Sequence, residues 1–450
     1  MHNHFYPFPT FVEFIRKSLL AFLLLLLVSA CRQQDQISER YKWNVSAQEL
    51  EEHVRQLASD EMEGRGAGYT GEKKAAEYIA EQMRSNGLSS ILKDSEGSPS
   101  YVQPFDFHTL GSALPWERLN TQNVIGMLKG LTLPEEYIVL GGHHDGQGMP
   151  GQADFGRDID AMVTDSLAAT QDSIWNSAVD NAVSVAAILE IARKLKENNI
   201  KLKRSVIFST FSAEESGLDG STHFANHPPC DLGQIKAMIN LEQLVGDPEA
   251  DFLYVSYASN PIFEQLQVTT DSLHQLKLVP FYPGIIANTD HYAFLQRRIP
   301  AITMGTGSQI NVHSPLDHAD RLDYDLLQRR TEYILSYLIQ LANAEGSFDF
   351  QGDLSGLLGV SGGHATAAEK EERGFDGEVG FKVTTVVKGS KGYLANIAPG
   401  DLIIAVEDKP IAYQTFYQGL EDVIGETELK KVRLKVLRAE EELEITVDMD

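Results

Sequence analysis

Two apolar patterns alternate along residues 46–345. Nearly continuous apolar runs, typical of strands buried on both faces, lie at 122–127, 137–142, 205–211, 237–241 and 299–304. Apolar residues spaced three and four apart, typical of amphipathic helices, lie at 46–59, 70–87, 178–198 and 322–344. This alternation predicts an α/β fold, a three-layer α/β/α sandwich in which helices cover both faces of a mixed, mostly parallel sheet.

Two stretches carry neither pattern and are predicted to be loops. Residues 63–68 (Glu-Gly-Arg-Gly-Ala-Gly) are glycine-rich, but they lack the preceding strand and the glycine spacing of a nucleotide-binding loop. Residues 146–176 are rich in Gly, Asp and Ser. Long loops in compact domains tend to be functional, so we expect this second loop to shape a substrate pocket.

The pattern changes near Gly352. Short β-rich runs follow at 380–387, 401–406, 431–437 and 443–447, with one helix-like segment at 413–424. We therefore predict three parts beyond the N-terminal region: an α/β domain at 46–345, a linker at 346–356 and a small β-rich domain at 357–450.

The N-terminus is predicted to lie outside these domains. Arg16 and Lys17 precede an apolar segment at 19–28, which is too short to span a bilayer comfortably and is typical of an export signal. The following Val28-Ser29-Ala30-Cys31 resembles a bacterial lipobox. The resemblance implies a signal peptide at 1–30, a lipid on Cys31 and a polar tether at 31–45. We expect an exported protein anchored to a bacterial membrane, at the outer membrane or the periplasmic face. The alternative is a plain secretory signal with an incidental cysteine.

Composition narrows the partners. The chain has 450 residues and a net charge of −26, which argues against nucleic acid, because binding phosphates relies on Lys and Arg. It has two cysteines. If Cys31 carries lipid, Cys230 has no partner for an intramolecular disulfide and is expected to be inert.

Histidines and carboxylates follow the predicted strands and their connections. In chain order they are His143 and Asp145, Asp180, Glu214 and Glu215, Glu242, and His313. The groups that follow strands are expected to converge, because parallel strands end at one edge of a sheet. Imidazole and carboxylate donors suit zinc. Two zinc ions bridged by a carboxylate are a common hydrolytic arrangement.

The motifs around these residues resemble, in sequence order, the dizinc aminopeptidases of peptidase clan MH, whose relatives include glutamate carboxypeptidase-like and glutaminyl cyclase-like proteins. The resemblance covers about residues 50–345. It is carried by QNVIGMLKG…EEYIVLGGHHD, SAVDNAVSVAAILEIARKL, FSTFSAEESGLDGS, INLEQLVG and NVHSPLDHADRLDY. It implies a zinc-dependent exopeptidase, and we expect an aminopeptidase that hydrolyses N-terminal residues from peptides.

The resemblance also implies a set of metal ligands for two zinc ions per chain. His143 and Glu242 would bind one ion, Glu215 and His313 would bind the other, and Asp180 would bridge them.

Other residues take supporting roles by the same resemblance. Glu214 would be the general base, and Asp145 would orient His143 through its second ring nitrogen. Asp290 and His291 would lie behind the ligands. His144 is expected to line the pocket or support a ligand rather than bind metal.

Two positions depart from the family pattern. Glu242 stands where Asp is usual, and Val312 stands where Tyr often precedes the last histidine. Two alternatives stay open, the first because such enzymes share this fold and the second because of these departures and the unusual loop at 146–176. One is a glutaminyl cyclase-type acyltransferase of the same fold, which typically holds one zinc. The other is a catalytically weak binding or scaffold protein.

The C-terminal domain resembles a PDZ domain. Leu358, Gly359 and Val360 match its carboxylate-binding loop, where backbone N–H groups receive a peptide C-terminus. The resemblance implies a second peptide partner held near the catalytic groove. The alternative is a stabilising β-rich appendage with no ligand.

Overall fold

The computed structural model describes fourteen stretches of the chain, which are residues 43–108, 118–150, 152, 173–245, 252–255, 260–274, 276–280, 289–306, 312–350, 358–364, 380–386, 390–410, 431–439 and 441–448. Cys31, most of the loop at 146–176 and the helix-like segment at 413–424 lie outside these residues. The predictions made for them therefore stay predictions.

One eight-stranded sheet forms the centre of the α/β domain. A short ribbon of β1 (Leu92–Lys93) and β2 (Pro99–Ser100) precedes it. Its strands are β3 (Val102–His108), β4 (Arg118–Leu128), β5 (Leu133–His143), β6 (Arg204–Phe211), β7 (Ile235–Glu242), β8 (Phe252–Val255), β9 (Leu278–Pro280) and β10 (Ala301–Gly305). Across the sheet the order is β3-β4-β6-β5-β7-β10-β8-β9.

The middle of this sheet is parallel. Strands β6, β5, β7 and β10 are parallel neighbours, whereas the pairs β3–β4, β4–β6 and β10–β8 are antiparallel. The predicted α/β class with a mixed, mostly parallel sheet is confirmed. Because β6, β5 and β7 are adjacent and parallel, the residues that follow them emerge together at one edge.

Helices pack against both faces of the sheet. They are α1 (Ala47–Leu57), α2 (Thr70–Ser85), α3 (Val183–Glu197), α4 (Asp219–Asn226), α5 (Ile262–His274), α6 (His291–Leu295) and α7 (Tyr324–Asn343). Alternate strand residues enter two separate cores. Ile138 and Leu140 pack with α1, α3 and α7, and Val139 packs with α4 and α6. Of the helices in the described residues, none is long and apolar enough to cross a membrane.

The helix predicted at 178–198 begins later than its apolar pattern suggests. Residues Ala178–Ala182 form a wide turn in which Asp180 (φ −116°, ψ 84°) and Asn181 have non-helical backbone angles. Regular helix starts at Val183. Asp180 therefore lies on an irregular turn, with its side chain free to point toward the edge of the sheet.

A second, antiparallel sheet forms from the C-terminal residues. Its strands are β11 (Val360–His364), β12 (Phe381–Val386), β13 (Leu402–Val406), β14 (Lys409–Pro410), β15 (Lys431–Arg438) and β16 (Glu441–Asp448), with the short helix α8 (Lys391–Leu394). It has its own apolar core, which includes Leu358, Val360 and Phe381. The predicted β-rich character of this region is confirmed.

Candidate metal centre

The ends of three neighbouring strands bring predicted ligands together. His143 is the last residue of β5, and Glu242 is the last residue of β7. Glu214 and Glu215 follow β6 after Ser212 and Ala213.

The strand backbones can approach each other closely here because β5 and β10 each carry a glycine near this edge. A β-carbon on Gly305, which is opposite Glu242 in β10, would lie 2.0 Å from the carbonyl oxygen of Glu242. A β-carbon on Gly142 would lie 2.8 Å from the carbonyl oxygen of Leu241.

The first donor set consists of His143, Asp180 and Glu242. The Nε2 atom of His143 lies 3.0 Å from Asp180 Oδ1 and 3.1 Å from Glu242 Oε1. His143 and Asp180 are almost fully buried, and Glu242 is mostly covered. Three donor atoms thus surround one point at the end of β5.

The second donor set consists of Asp180, Glu215 and His313. The Nε2 atom of His313 lies 3.1 Å from Asp180 Oδ2 and 3.2 Å from Glu215 Oε2. The two oxygens of Asp180 therefore face two different histidines. The side chain of His313 is 24% exposed, so the centre is reached from the side of its loop.

The spacing in both sets fits zinc. With zinc–ligand bonds of about 2.0–2.1 Å, two ligands of a tetrahedral ion lie about 3.3 Å apart. The four separations above, 3.0–3.2 Å, are close to that value. Three protein ligands per ion also leave a position for a further ligand, as in catalytic sites.

The charges of the buried carboxylates and histidines also favour a bound metal ion. Burial raises the pKa of Glu215 and raises that of Glu242 to about 7. Burial alone would lower the pKa of His143 and of His313, but the surrounding carboxylates outweigh burial and raise both well above the usual value. The centre thus buries more negative than positive charge. A divalent cation would offset this excess.

Glu214 lies beside the first donor set. Its Oε2 atom is 4.0 Å from His143 Nε2, farther than the oxygens of Asp180 and Glu242. Burial and the nearby carboxylates of Glu242 and Glu215 raise the pKa of Glu214 well above its usual value, against the attraction of His143. Because it lies only 4.0 Å from His143 Nε2, the Glu214 carboxyl can contact a molecule held at the centre.

Asp145 contacts the second ring nitrogen of His143, as predicted, and it also supports the two glutamates. The carboxylate oxygen Oδ1 lies 3.6 Å from His143 Nδ1, whereas the backbone oxygen of Asp145 lies 3.2 Å from that atom. The carboxylate also accepts the backbone N–H groups of Glu214 (3.2 Å) and Glu215 (3.3 Å). Asp145 thus lies against His143 Nδ1 with both its main chain and its carboxylate, and its carboxylate also holds the glutamate pair.

Three contacts hold Asp180 in place. Asp317 accepts the backbone N–H groups of Val179 (2.7 Å) and Asp180 (3.2 Å). The side chain of Gln243 donates to Asp180 Oδ2 at 3.0 Å. The carboxylate of Asp317 therefore holds the turn before α3.

Asp290 and His291 lie at the start of α6 and are fully buried. Burial raises the pKa of Asp290 to about 7 and lowers that of His291 to about 3. His291 Nδ1 lies 2.6 Å from Thr289 Oγ1. Within the described residues, neither side chain joins a donor set.

His144 points away from both donor sets. Its Nε2 atom lies 3.0 Å from Glu72 Oε1, and both side chains are fully buried. Gln122 donates to the same oxygen of Glu72 at 2.8 Å. His144 is therefore not part of an accessible pocket wall; it joins the site edge to α2.

The structure also shows residues that the sequence reasoning missed. Gln147 donates to Glu215 Oε2 at 2.6 Å. Gln243 contacts Asp180 as described above. Both are adjacent or near to recognised motifs, but glutamine carries no ligand pattern of its own. A third unpredicted residue near the centre is Arg65, which lies in the glycine-rich loop at 63–68.

The predicted carboxylate-binding loop lies in the second sheet. Leu358 and Val360 are buried in its core, and Gly359 has a φ of +70°. The backbone oxygen of Leu358 accepts the N–H of Gly392. A β-carbon on Gly359 would lie 2.7 Å from the hydroxyl of Tyr292, so one side of this loop faces α6.

The α/β domain is similar to proteins of known family. Residues 123–338 match the model of peptidase family M28. This part of the chain is similar to peptidase family M28. All five predicted metal ligands lie within the M28 match.

Individual proteins extend the comparison. Endoplasmic reticulum metallopeptidase 1 of Homo sapiens is 32% identical over 183 residues, which cover 39% of this chain and 20% of that protein. The chain thus spans about a fifth of the length of this relative. A zinc aminopeptidase of Bacillus subtilis, BSAP, superposes with a TM-score of 0.51 at 15% identity, covering 69% of this chain and 99% of that chain. The glutaminyl cyclase of Porphyromonas gingivalis gives 0.52 at 18% identity, covering 66% and 99%. At such identities these two structures show a shared fold alone.

Proposed function

We propose that the α/β domain is an M28-type zinc-dependent exopeptidase, an aminopeptidase that hydrolyses N-terminal residues from peptides. The observation that carries the proposal is the pair of donor sets joined by Asp180. One carboxylate facing two histidines supports two zinc ions per chain rather than one.

The chain's own residues would hold the metal. His143, Asp180 and Glu242 would bind one zinc; Asp180, Glu215 and His313 would bind the other. Zinc, when bound, supplies Lewis acidity that polarises a peptide carbonyl and acidifies water. Asp145 and Asp317 would keep the ligand-bearing segments in register through the backbone contacts described above.

Glu214 would move the proton. As general base it accepts a proton from the attacking water, and as general acid it returns that proton to the leaving amine. Its carboxyl is mostly enclosed and lies 4.0 Å from His143 Nε2, so bulk water would compete little for the proton.

The enclosure of the centre supports an exopeptidase. His143, Asp180 and Glu215 are each at most 6% exposed, and His313 provides the more open side. A chain end can enter such a recess, whereas the middle of a peptide would need a groove open at both ends. We infer an N-terminus rather than a C-terminus from the aminopeptidase resemblance of the motifs.

A substitution of the base tests the proposal. Purified protein, reconstituted with zinc, is assayed on aminoacyl substrates and on peptides with N-terminal glutamine, with and without chelator. We expect two zinc equivalents and chelator-sensitive aminopeptidase activity. E214Q should lose hydrolysis and keep zinc, whereas E264Q, a change at an exposed glutamate of α5, should keep both.

Other outcomes would decide for the alternatives. One zinc equivalent together with cyclisation of N-terminal glutamine would favour an acyltransferase. A parent protein that binds zinc but hydrolyses none of these substrates would favour a binding or scaffold role.

We further propose that the protein is exported and that Cys31 carries the lipid anchor. The support is the lipobox-like sequence. Mass spectrometry of membrane-extracted protein should show an acylated N-terminal cysteine, and C31S should move the protein to the soluble fraction.

We also propose that the C-terminal sheet is a PDZ-like domain whose loop at Leu358, Gly359 and Val360 binds a peptide carboxylate. The left-handed glycine between two buried apolar residues supports this. Full-length protein should bind peptides with free C-termini more tightly than the same peptides amidated. Equal binding would favour the stabilising appendage.

A further inference from the structure

The glycine-rich loop at 63–68 contains Arg65, whose side chain points into the protein. The guanidinium is fully buried. Burial lowers the pKa of Arg65 only to about 10, so the group is charged at neutral pH.

Within the described residues, the guanidinium of Arg65 donates to four backbone carbonyl groups. Nε donates to His144 (2.7 Å), one terminal nitrogen to Leu57 (2.7 Å) and Asn176 (2.8 Å), and the other to Ser177 (2.7 Å). A planar guanidinium can satisfy four acceptors that a lysine ammonium could not reach together.

These carbonyl groups belong to the segments that carry the metal ligands. His144 directly follows His143. Asn176 and Ser177 directly precede the turn that presents Asp180. Leu57, at the end of α1, connects both segments to a rigid helix. The Arg65 side chain thus bonds both to the residue after His143 and to the residues before the turn that bears Asp180.

An unusual backbone conformation of the loop directs the Arg65 side chain inward. Glu63, Gly64 and Arg65 all have left-handed φ values, +50°, +65° and +55°. This conformation costs a non-glycine L-residue about 1–2 kcal/mol, so it needs support from its surroundings. Gly146 N–H donates to the Arg65 carbonyl (3.1 Å), and Gly148 N–H donates to the Gly64 carbonyl (3.0 Å).

We propose that Arg65 is a positioning residue for the metal centre: by bonding to the backbone at 144 and at 176–177, it holds His143 and Asp180 at the spacing that binds zinc. The inference rests on the proposed zinc site. It does not rest on the hydrolytic activity, because metal binding can be measured without turnover.

The charge of Arg65 and its hydrogen bonds predict opposite effects on zinc affinity when the side chain is replaced. A buried cation close to a metal site repels zinc, so loss of the charge alone would tighten binding. Loss of the bonds would let the two segments separate and weaken binding. R65K keeps the charge and loses most of the bonds, and R65Q loses both.

Zinc dissociation constants are measured by competition with a chromophoric chelator. We expect R65K and R65Q both to bind zinc 10- to 100-fold more weakly than the parent, as for other residues that support metal ligands. Hydrolysis should recover toward the parent rate in saturating zinc. R204K is the matched control, since Arg204 is also buried and bonds Glu136 and the Ala344 carbonyl at the strand starts, the opposite edge of the sheet. Its zinc affinity should be unchanged.

Several results would overturn the proposal. They are zinc binding in R65K equal to the parent, tighter binding in R65Q, or an equal loss of affinity in R204K. An R65K protein that stays unfolded in saturating zinc would make Arg65 a general fold residue instead. If the parent itself binds no zinc, the proposed function fails first, and that result is distinguishable from all the others.

Discussion

Replacing Glu242 by Asp tests how closely the first donor set matches one ion. Glu242 Oε1 lies 3.1 Å from His143 Nε2. Removing one methylene withdraws the carboxylate by about 1.5 Å, the length of one C–C bond. The separation would then approach about 4.6 Å, whereas ligands of one tetrahedral zinc lie about 3.3 Å apart.

The backbone has little room to compensate. Strand β7 is paired with β5 on one side and β10 on the other, and its last residue packs against Gly305. We therefore expect E242D to weaken zinc binding at the first set by about 10- to 100-fold, or about 1.4–2.8 kcal/mol. This is expected even though Asp is the usual residue at this position in the family that the sequence resembles.

Competition with a chelator measures both zinc ions in one titration. The second donor set does not contain Glu242, so its ion is an internal control and should change less. The reasoning is refuted if E242D binds both ions as tightly as the parent, because the strand end would then be able to follow a shorter side chain.

Three further perturbations have expected outcomes. D180N removes the charge common to both donor sets, so zinc analysis should give well under two equivalents with an unchanged circular dichroism spectrum; two retained equivalents would contradict the shared ligand. G305A forces a β-carbon toward the Glu242 carbonyl, so urea unfolding should show a loss of about 1–3 kcal/mol, and an unchanged midpoint would contradict the tight packing. Burial, then Arg193, lowers the pKa of His53 from 6.5 to about 4. The unfolded chain therefore binds the proton more readily, and stability falls by about 2 kcal/mol between pH 7.5 and pH 5. H53Q should lose that part of the pH dependence in urea unfolding, and an identical pH dependence in both proteins would refute the assignment.

The parts of the fold that periodicity encodes were predictable. The apolar runs at 137–142, 205–211 and 237–241 are the cores of β5, β6 and β7. These strands are buried on both faces, so the chain cannot vary their apolar pattern without loss of packing. The convergence of the residues that follow them then depends only on the strands being parallel and adjacent.

Features that depend on short local sequence patterns were predicted less well, because tertiary contacts can replace the local ones. Ser46-Ala47-Gln48-Glu49 fits a reciprocal capping box, and Ser46 does accept the Glu49 N–H at 3.2 Å. The N–H of Ser46, however, donates to Glu190 at 3.0 Å rather than to Glu49. A tertiary partner from α3 took the place of the local one. Strand β3 was missed because Pro104 interrupts its pattern; as an edge strand, it tolerates the proline.

The supporting contacts of the metal centre could not be predicted, for a physical reason. The ligands are chemically distinctive side chains, so their residue types and order along the chain indicate zinc. The groups that hold them act mainly on the backbone. Arg65 bonds carbonyl oxygens 79 and 112 residues away, and every residue has such an oxygen. Asp145 and Asp317 likewise accept backbone N–H groups, and these bonds of Asp145 come in addition to the predicted contact with His143.

Because the ligands are held through backbone contacts, the effect of a substitution near the centre depends on more than the residue that is changed. A changed ligand such as Glu242 can be recognised in the sequence, but its effect depends on whether the backbone around it can shift. That freedom is limited by the buried contacts of Arg65 and Asp317 and by the pairing of β7. Because these contacts connect segments far apart in the chain, the tolerance of the site to a shorter or longer ligand is a property of the folded protein, and it is accessible only by measurement of metal affinity in matched variants.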